Sequence, residues 1–175
     1  MGTAEGSPSY AERTNMDRLG SLYEKHAPAA TRLAYLLTGD RELARDLAQD
    51  AFIRVAGKFA ALRAEGGFEA YLRSTIYNLV RSHFRHLKVE RRHLEEQAGR
   101  TAPPDDLGPE LRSDLAATLN DLPVRQRAAV VFRYYADLSE QHTADAMGCS
   151  VAAVRSLTFR ALESLRITVD KEVST

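Results

Sequence analysis

Asp46 and Asp50 stand four residues apart, with Gln49 between them and Ile53 three residues beyond, so a helix would carry all four on one face. Paired carboxylates at that spacing can do acid–base chemistry, hold a divalent cation, sit in water, or dock a basic partner. No His lies near them in sequence to complete a metal site, and no companion catalytic motif accompanies them. A polar face edged by an apolar residue suits docking against a basic helix. His83, His86 and Glu90 form another titratable group at helical spacing, but a divalent ion there would sit among arginines. The segment from Tyr71 to Arg92 carries Arg73, Arg81, Arg85, Lys88, Arg91 and Arg92 against the single acid Glu90. A basic helix with interleaved aromatics suits unpaired nucleic acid, where arginines track phosphate and rings stack on bases. Tyr71 and Phe68 are the aromatic candidates for that role, whereas Phe52 and Phe59 are first of all core residues. Near the C-terminus, Ser150, Ala152, Ala153, Arg155, Ser156, Thr158, Phe159 and Arg160 follow a turn. Arg155 and Arg160 have the reach and fork geometry for guanine edges or phosphates.

These residues need helices to hold them. Residues 1–15, with Gly2, Gly6, Ser7 and Pro8, read as a mobile tail, and Met16 is an alternative start. Leu19, Leu22, Tyr23, His26, Leu33, Leu36 and Leu37 then recur near helical spacing, with Pro28 expected to kink or divide that helix. Gly39 is its stop and Asp40 the next N-cap. The second helix lines up Leu43, Leu47, Ala51, Val55 and Phe59 on one stripe. Gly66-Gly67 marks a loop over 60–67, and a third helix follows from Phe68 to Glu90, burying Leu72, Ile76, Leu79, Val80 and Phe84. Glu95, Glu96, Pro103, Pro104, Asp105, Asp106, Pro109 and Glu110 make residues 93–110 an acidic linker that opens on a short helical piece. Beyond it come Leu111, Leu115 and Leu119, a helix with Pro123 at its first position, and two short helices. In that pair Ser139 caps the first helix, Ala144 permits a close crossing, Gly148 makes the turn and Ser150 caps the second: a helix-turn-helix. Val154 and Leu157 supply the inward face of its second helix. The expected fold is all-α, in two small helical domains over 16–92 and 111–168 joined by the linker, with a second tail at 169–175.

Bulk properties narrow the class. The 175 residues allow one ordinary domain or two small ones. No run approaches membrane-spanning length, so no membrane insertion is expected, and the N-terminus lacks the basic start and apolar block of a signal peptide. The single cysteine, Cys149, excludes an internal disulfide and fits a reducing cytoplasm. Formal net charge is zero, yet averaging hides a segregated basic helix and an acidic linker.

Several motifs in order carry a family resemblance. Arg45-Asp-Leu-Ala-Gln-Asp-Ala-Phe52 resembles the acidic signature of region two of bacterial sigma factors. The run from Phe68 to Arg85 resembles the family's promoter-melting helix, with Tyr71 where tryptophan is common and Asn78 and Arg85 at the expected spacing. Ser74 and Ser82 depart from a frequent arginine and a frequent aspartate. Leu122-Pro-Val-Arg-Gln-Arg127 and Arg160-Ala-Leu-Glu-Ser-Leu-Arg166 resemble sigma region four on either side of the helix-turn-helix. Together these motifs span about residues 16–165, and the chain is similar to extracytoplasmic-function sigma factors, in particular the actinobacterial sigma-E-like group.

The resemblance implies a factor that binds core RNA polymerase and promoter DNA, with no catalytic residues and no cofactor of its own. It places Asp46, Gln49, Asp50 and Ile53 on the polymerase clamp helices. Phe68, Tyr71, Arg73, Asn78, Arg81 and Arg85 fall on the −10 element, with the 60–67 loop pocketing an extruded base. Ser150, Ala152, Ala153, Arg155, Ser156, Thr158 and Arg160 fall on the −35 element. The linker would run through the polymerase toward the RNA exit, and the second domain would touch the flap. An anti-sigma protein is a further partner the resemblance admits. Two other classes compete: a stand-alone helix-turn-helix regulator, which would not need the Asp46–Phe52 signature, and a helical metal-dependent hydrolase using His83, His86 and Glu90.

Overall fold

The computed structural model describes the backbone of residues 10–58, 65–97 and 114–173, and the side chains of 17–58, 67–90 and 117–166. The described elements are all helical. In order they are α1 (Tyr10–Thr38), α2 (Arg41–Ala56), α3 (Glu65–Gln97), α4 (Asp114–Asn120), α5 (Val124–Val130), a π-helical turn (Val131–Tyr135), α6 (Glu140–Met147) and α7 (Val151–Val173).

The first helix starts at Tyr10, inside the stretch expected to be a tail, because Ala11, Glu12 and Arg13 are good helix formers. Pro28 lies within α1 but does not divide it. His26, Ala30, Leu33 and Leu37 on either side are buried, and that packing outweighs the backbone bond the proline removes. At the end of α1, Gly39 takes a left-handed φ of +74° and donates its N–H to Tyr35 O at 2.7 Å. Asp40 Oδ1 accepts from Leu43 N at 3.0 Å and caps α2. The buried stripe of α2 is Ala44, Leu47, Ala48, Ala51, Phe52 and Val55. Phe59 lies outside the described residues.

Helix α3 starts before Phe68. Gly66 and Gly67 sit in its first turn, where N–H groups need no intrahelical partner and glycine costs little, so they do not make a loop. The rest of the expected 60–67 loop, residues 60–64, lies outside the described residues. At its other end α3 runs through Arg92 to Gln97, into the expected linker, whose residues 98–110 are likewise outside the description. Helix α7 extends to Val173, past the expected tail boundary.

The two helical units share one hydrophobic core. Leu72, Ile76, Leu79 and Val80 of α3 are buried as their spacing predicts, and Phe84 is half-buried. Tyr77 is fully buried as well, edge-on to Phe132 of the π turn with ring centroids 6.1 Å apart. Burial raises its phenol pKa, against the lowering effect of Arg81 and Arg125. Arg127 closes the same seam. Its guanidinium is buried and donates to Leu37 O of α1 at 2.7 Å, Asn120 O at 2.8 Å and Leu122 O at 3.1 Å. It also lies 5.9 Å from the centre of the Phe84 ring. Burial lowers its pKa, and the nearby Asp121 opposes that. Arg127 thus satisfies one carbonyl near the C-terminal end of α1, that of Leu37, from the other unit.

Candidate nucleic-acid interface

The stripe that α2 buries leaves the opposite face open. Asp46, Gln49 and Asp50 are exposed, and Ile53 is 63% exposed despite being apolar. Tyr23 of α1 adds exposed apolar surface beside them, packed edge-on to Phe52 with centroids 4.8 Å apart. Helical spacing groups Tyr23 with the core leucines of α1, but its ring is half outside that core.

On α3, Tyr71, Ser74, Asn78, Arg81 and Arg85 recur at three- and four-residue steps along one face. Asn78, Arg81 and Arg85 are exposed. Tyr71 is half-buried, with the Lys58 ammonium 5.3 Å from its ring centre. Arg73 pairs with Glu69 one turn back and is half-buried. Phe68 does not join this face. Its ring is fully buried between His26 at 5.6 Å and Phe52 at 6.2 Å, so the expectation that it meets a base is corrected to a core role. A cleft between the two units is lined by Tyr71, Arg73 and Ser74 on one side and by Leu138, His142, Asp145 and Ala146 on the other. The helix-turn-helix thereby covers part of the face that carries Tyr71.

The helix-turn-helix forms as its spacing predicts. Ser139 Oγ accepts from His142 N at 3.1 Å, and Gly148 turns the chain at φ +60°. Ser150 Oγ accepts from Ala153 N at 3.1 Å, and Val154 is fully buried. Ala152, Arg155, Phe159 and Arg160 are exposed on α7, with Ala153 and Ser156 half-buried beside them. Arg160 Nη2 donates to Ser156 Oγ at 2.8 Å, and Arg155 Nε donates to Glu140 Oε2 of α6 at 2.7 Å. Thr158 falls on the other side, four residues after buried Val154 and three before buried Ala161. Thr158 is half-buried, like Ala153 and Ser156, and its Oγ1 is buried without a partner. The pairing of Glu140 with Arg155, and of Arg127 with α1, escaped the sequence reading because no local pattern announces either.

Among the described residues no group of three His, Cys, Asp or Glu side chains could hold a metal ion. No described helix is long and apolar enough to cross a membrane.

Two family models match this chain: sigma-70 region 2 over residues 22–89 and sigma-70 region 4 over residues 112–165. The chain is 32% identical over 157 residues to the RNA polymerase sigma-E factor of Streptomyces coelicolor, covering 85% of this chain and 87% of that one. It is also 32% identical over 163 residues to the ECF RNA polymerase sigma factor SigE of Mycolicibacterium smegmatis. There it covers 89% of this chain but spans only 63% of the relative's length. Among solved structures, the sigma factor RpoE of Bartonella quintana, in complex with the anti-sigma factor NepR, has the same fold. It superposes with a TM-score of 0.68 at 20% identity, over 87% of this chain and 97% of that one. With both regions matched in order and the helices that carry their motifs in place, the chain belongs to the extracytoplasmic-function RNA polymerase sigma factors, a family of transcription initiation factors rather than enzymes.

Proposed function

We propose that the chain binds core RNA polymerase and directs it to promoters, reading a −35 element with α7 and a −10 element with α3 while assisting strand separation. The observation that carries this reading is the separation of three exposed faces on three helices. One on α2 is acidic and apolar; those on α3 and α7 carry exposed arginines. Asp46, Gln49, Asp50 and Ile53 dock on the polymerase. Tyr71, Asn78, Arg81 and Arg85 meet the −10 strand, with Arg73 holding the Tyr71 end of the helix through Glu69. Ser150, Ala152, Ala153, Arg155, Ser156 and Arg160 face the −35 duplex. Arg155, in the second turn of α7, meets base edges, and Arg160 holds phosphate.

The chain itself supplies no catalytic group or cofactor, acts in the cytoplasm where polymerase works, and has an anti-sigma protein as a further partner, as the Bartonella relative does. Because α6 shares the cleft with Tyr71, polymerase has to part the two units before that ring reaches a base.

The test combines purified chain, core enzyme and promoter. Permanganate reactivity of −10 thymines is expected only when all three are present, and Tyr71→Ala lowers opening more than closed-complex binding. Tight sequence-specific duplex binding by the chain alone, with no transcription on adding core, would support a stand-alone regulator instead.

A further inference from the structure

An ion pair joins the two helices of the helix-turn-helix: Arg155 Nε donates to Glu140 Oε2 at 2.7 Å, across fifteen residues of sequence. Both ends rise from fixed backbone. Glu140 opens α6 directly after its cap Ser139, whose Oγ accepts from His142 N. Arg155 follows the Ser150 cap of α7, and Gly148 sets the angle between the helices.

The two side chains are 68% and 36% exposed, and an ion pair that open to water adds little to stability. Its effect is geometric. A guanidinium is a rigid plane of five donors. With Nε held, the Nη1–Nη2 edge is left to point away from Glu140, and that edge matches O6 and N7 of guanine. The carboxylate also adds a negative charge that opposes a phosphate close by.

We infer that Glu140 is a positioning residue that makes Arg155 a reader of one base pair rather than a general phosphate contact. The inference rests on the reading of Arg155 as the base-contacting arginine of the −35 element. Released from Glu140, the arginine would turn to the nearest phosphate, gaining affinity for every duplex and losing its choice among bases.

The test uses the full chain with core polymerase on promoters carrying all four bases at each −35 position, at several salt concentrations. Arg155→Ala is expected to reduce discrimination at one base pair by about tenfold. Glu140→Ala should flatten the same base pair while binding to mismatched promoters tightens and the salt dependence steepens by about one phosphate contact. Glu140→Gln keeps an acceptor for Nε without the charge, and should restore part of the discrimination. A carboxylate that only stabilised the start of α6 would weaken all promoters alike when removed, and that result overturns the inference. If Arg155→Ala flattens one base pair and Glu140→Ala leaves it sharp, Glu140 does not position Arg155 although Arg155 still reads a base. A uniform loss in Arg155→Ala removes the base reading, and the inference with it.

Discussion

Neighbouring residues on α2 divide between core and surface: Phe52 is buried, while Ile53, the next residue, is 63% exposed beside Gln49 and Asp50. An exposed apolar side chain rimmed by carboxylates is surface suited to a basic partner with an apolar contact of its own. Charge reversal at Asp50 tests that partner without touching the buried stripe. Asp50→Lys is expected to weaken binding to core polymerase by about 2–5 kcal/mol, read in a competition assay, with helical circular dichroism unchanged. Wild-type affinity would mean that this face docks nothing. On α3 the same division separates two aromatics three residues apart. Tyr71 reaches the surface cleft, and Phe68 fills the space between His26 and Phe52.

Among the described residues, two helix ends, those of α1 and α6, are set by left-handed glycines in different surroundings. Gly148, at φ +60°, has nothing within 4 Å of where a Cβ would stand. Gly39, at φ +74°, would place a Cβ 1.9 Å from Asn120 Nδ2 of α4. Gly148→Ala therefore meets backbone strain alone, about 1–2 kcal/mol. Gly39→Ala adds a collision between the two units and should cost more, with Asn120→Ala recovering the excess. Urea denaturation of the two single variants and the Gly39/Asn120 double variant measures this coupling. Equal losses in Gly39→Ala and Gly148→Ala would show that α4 does not press on the end of α1.

Taken as a whole, the molecule is closed. Arg127 ties α4 and α5 to the end of α1, Tyr77 meets Phe132, and α6 lines a cleft with the face of α3 that carries Tyr71. If Tyr71 is to meet a base, as proposed, α6 stands against the face it would use, and the two units are expected to part. Ser74→Cys and His142→Cys, on opposite walls of that cleft, can be joined by a short reducible cross-linker in a Cys149→Ser background. The linked protein is expected to lose permanganate-detected opening and to recover it on reduction. Opening that proceeds unchanged in the linked protein would mean that the two units need not part.

What the sequence determined by itself was whatever depends on neighbours within a few residues. The Asp40 and Ser139 caps, the Gly39 and Gly148 stops and the burial of Leu47, Ala51 and Val55 on α2 all follow from local backbone chemistry and periodicity, as does the helix-turn-helix. The same local logic misjudged Gly66-Gly67 and the start of α1, because glycine is tolerated in a first turn and good helix formers extend a helix into what looks like a tail. Tertiary structure alone decided that Phe68 turns inward, since it sits within reach of both a core and a surface in the helical pattern. It alone brought Arg155 to Glu140 across fifteen residues, and Arg127 to Leu37 across ninety. A guanidinium finds its acceptors by distance in space, and no spacing in the sequence records that distance.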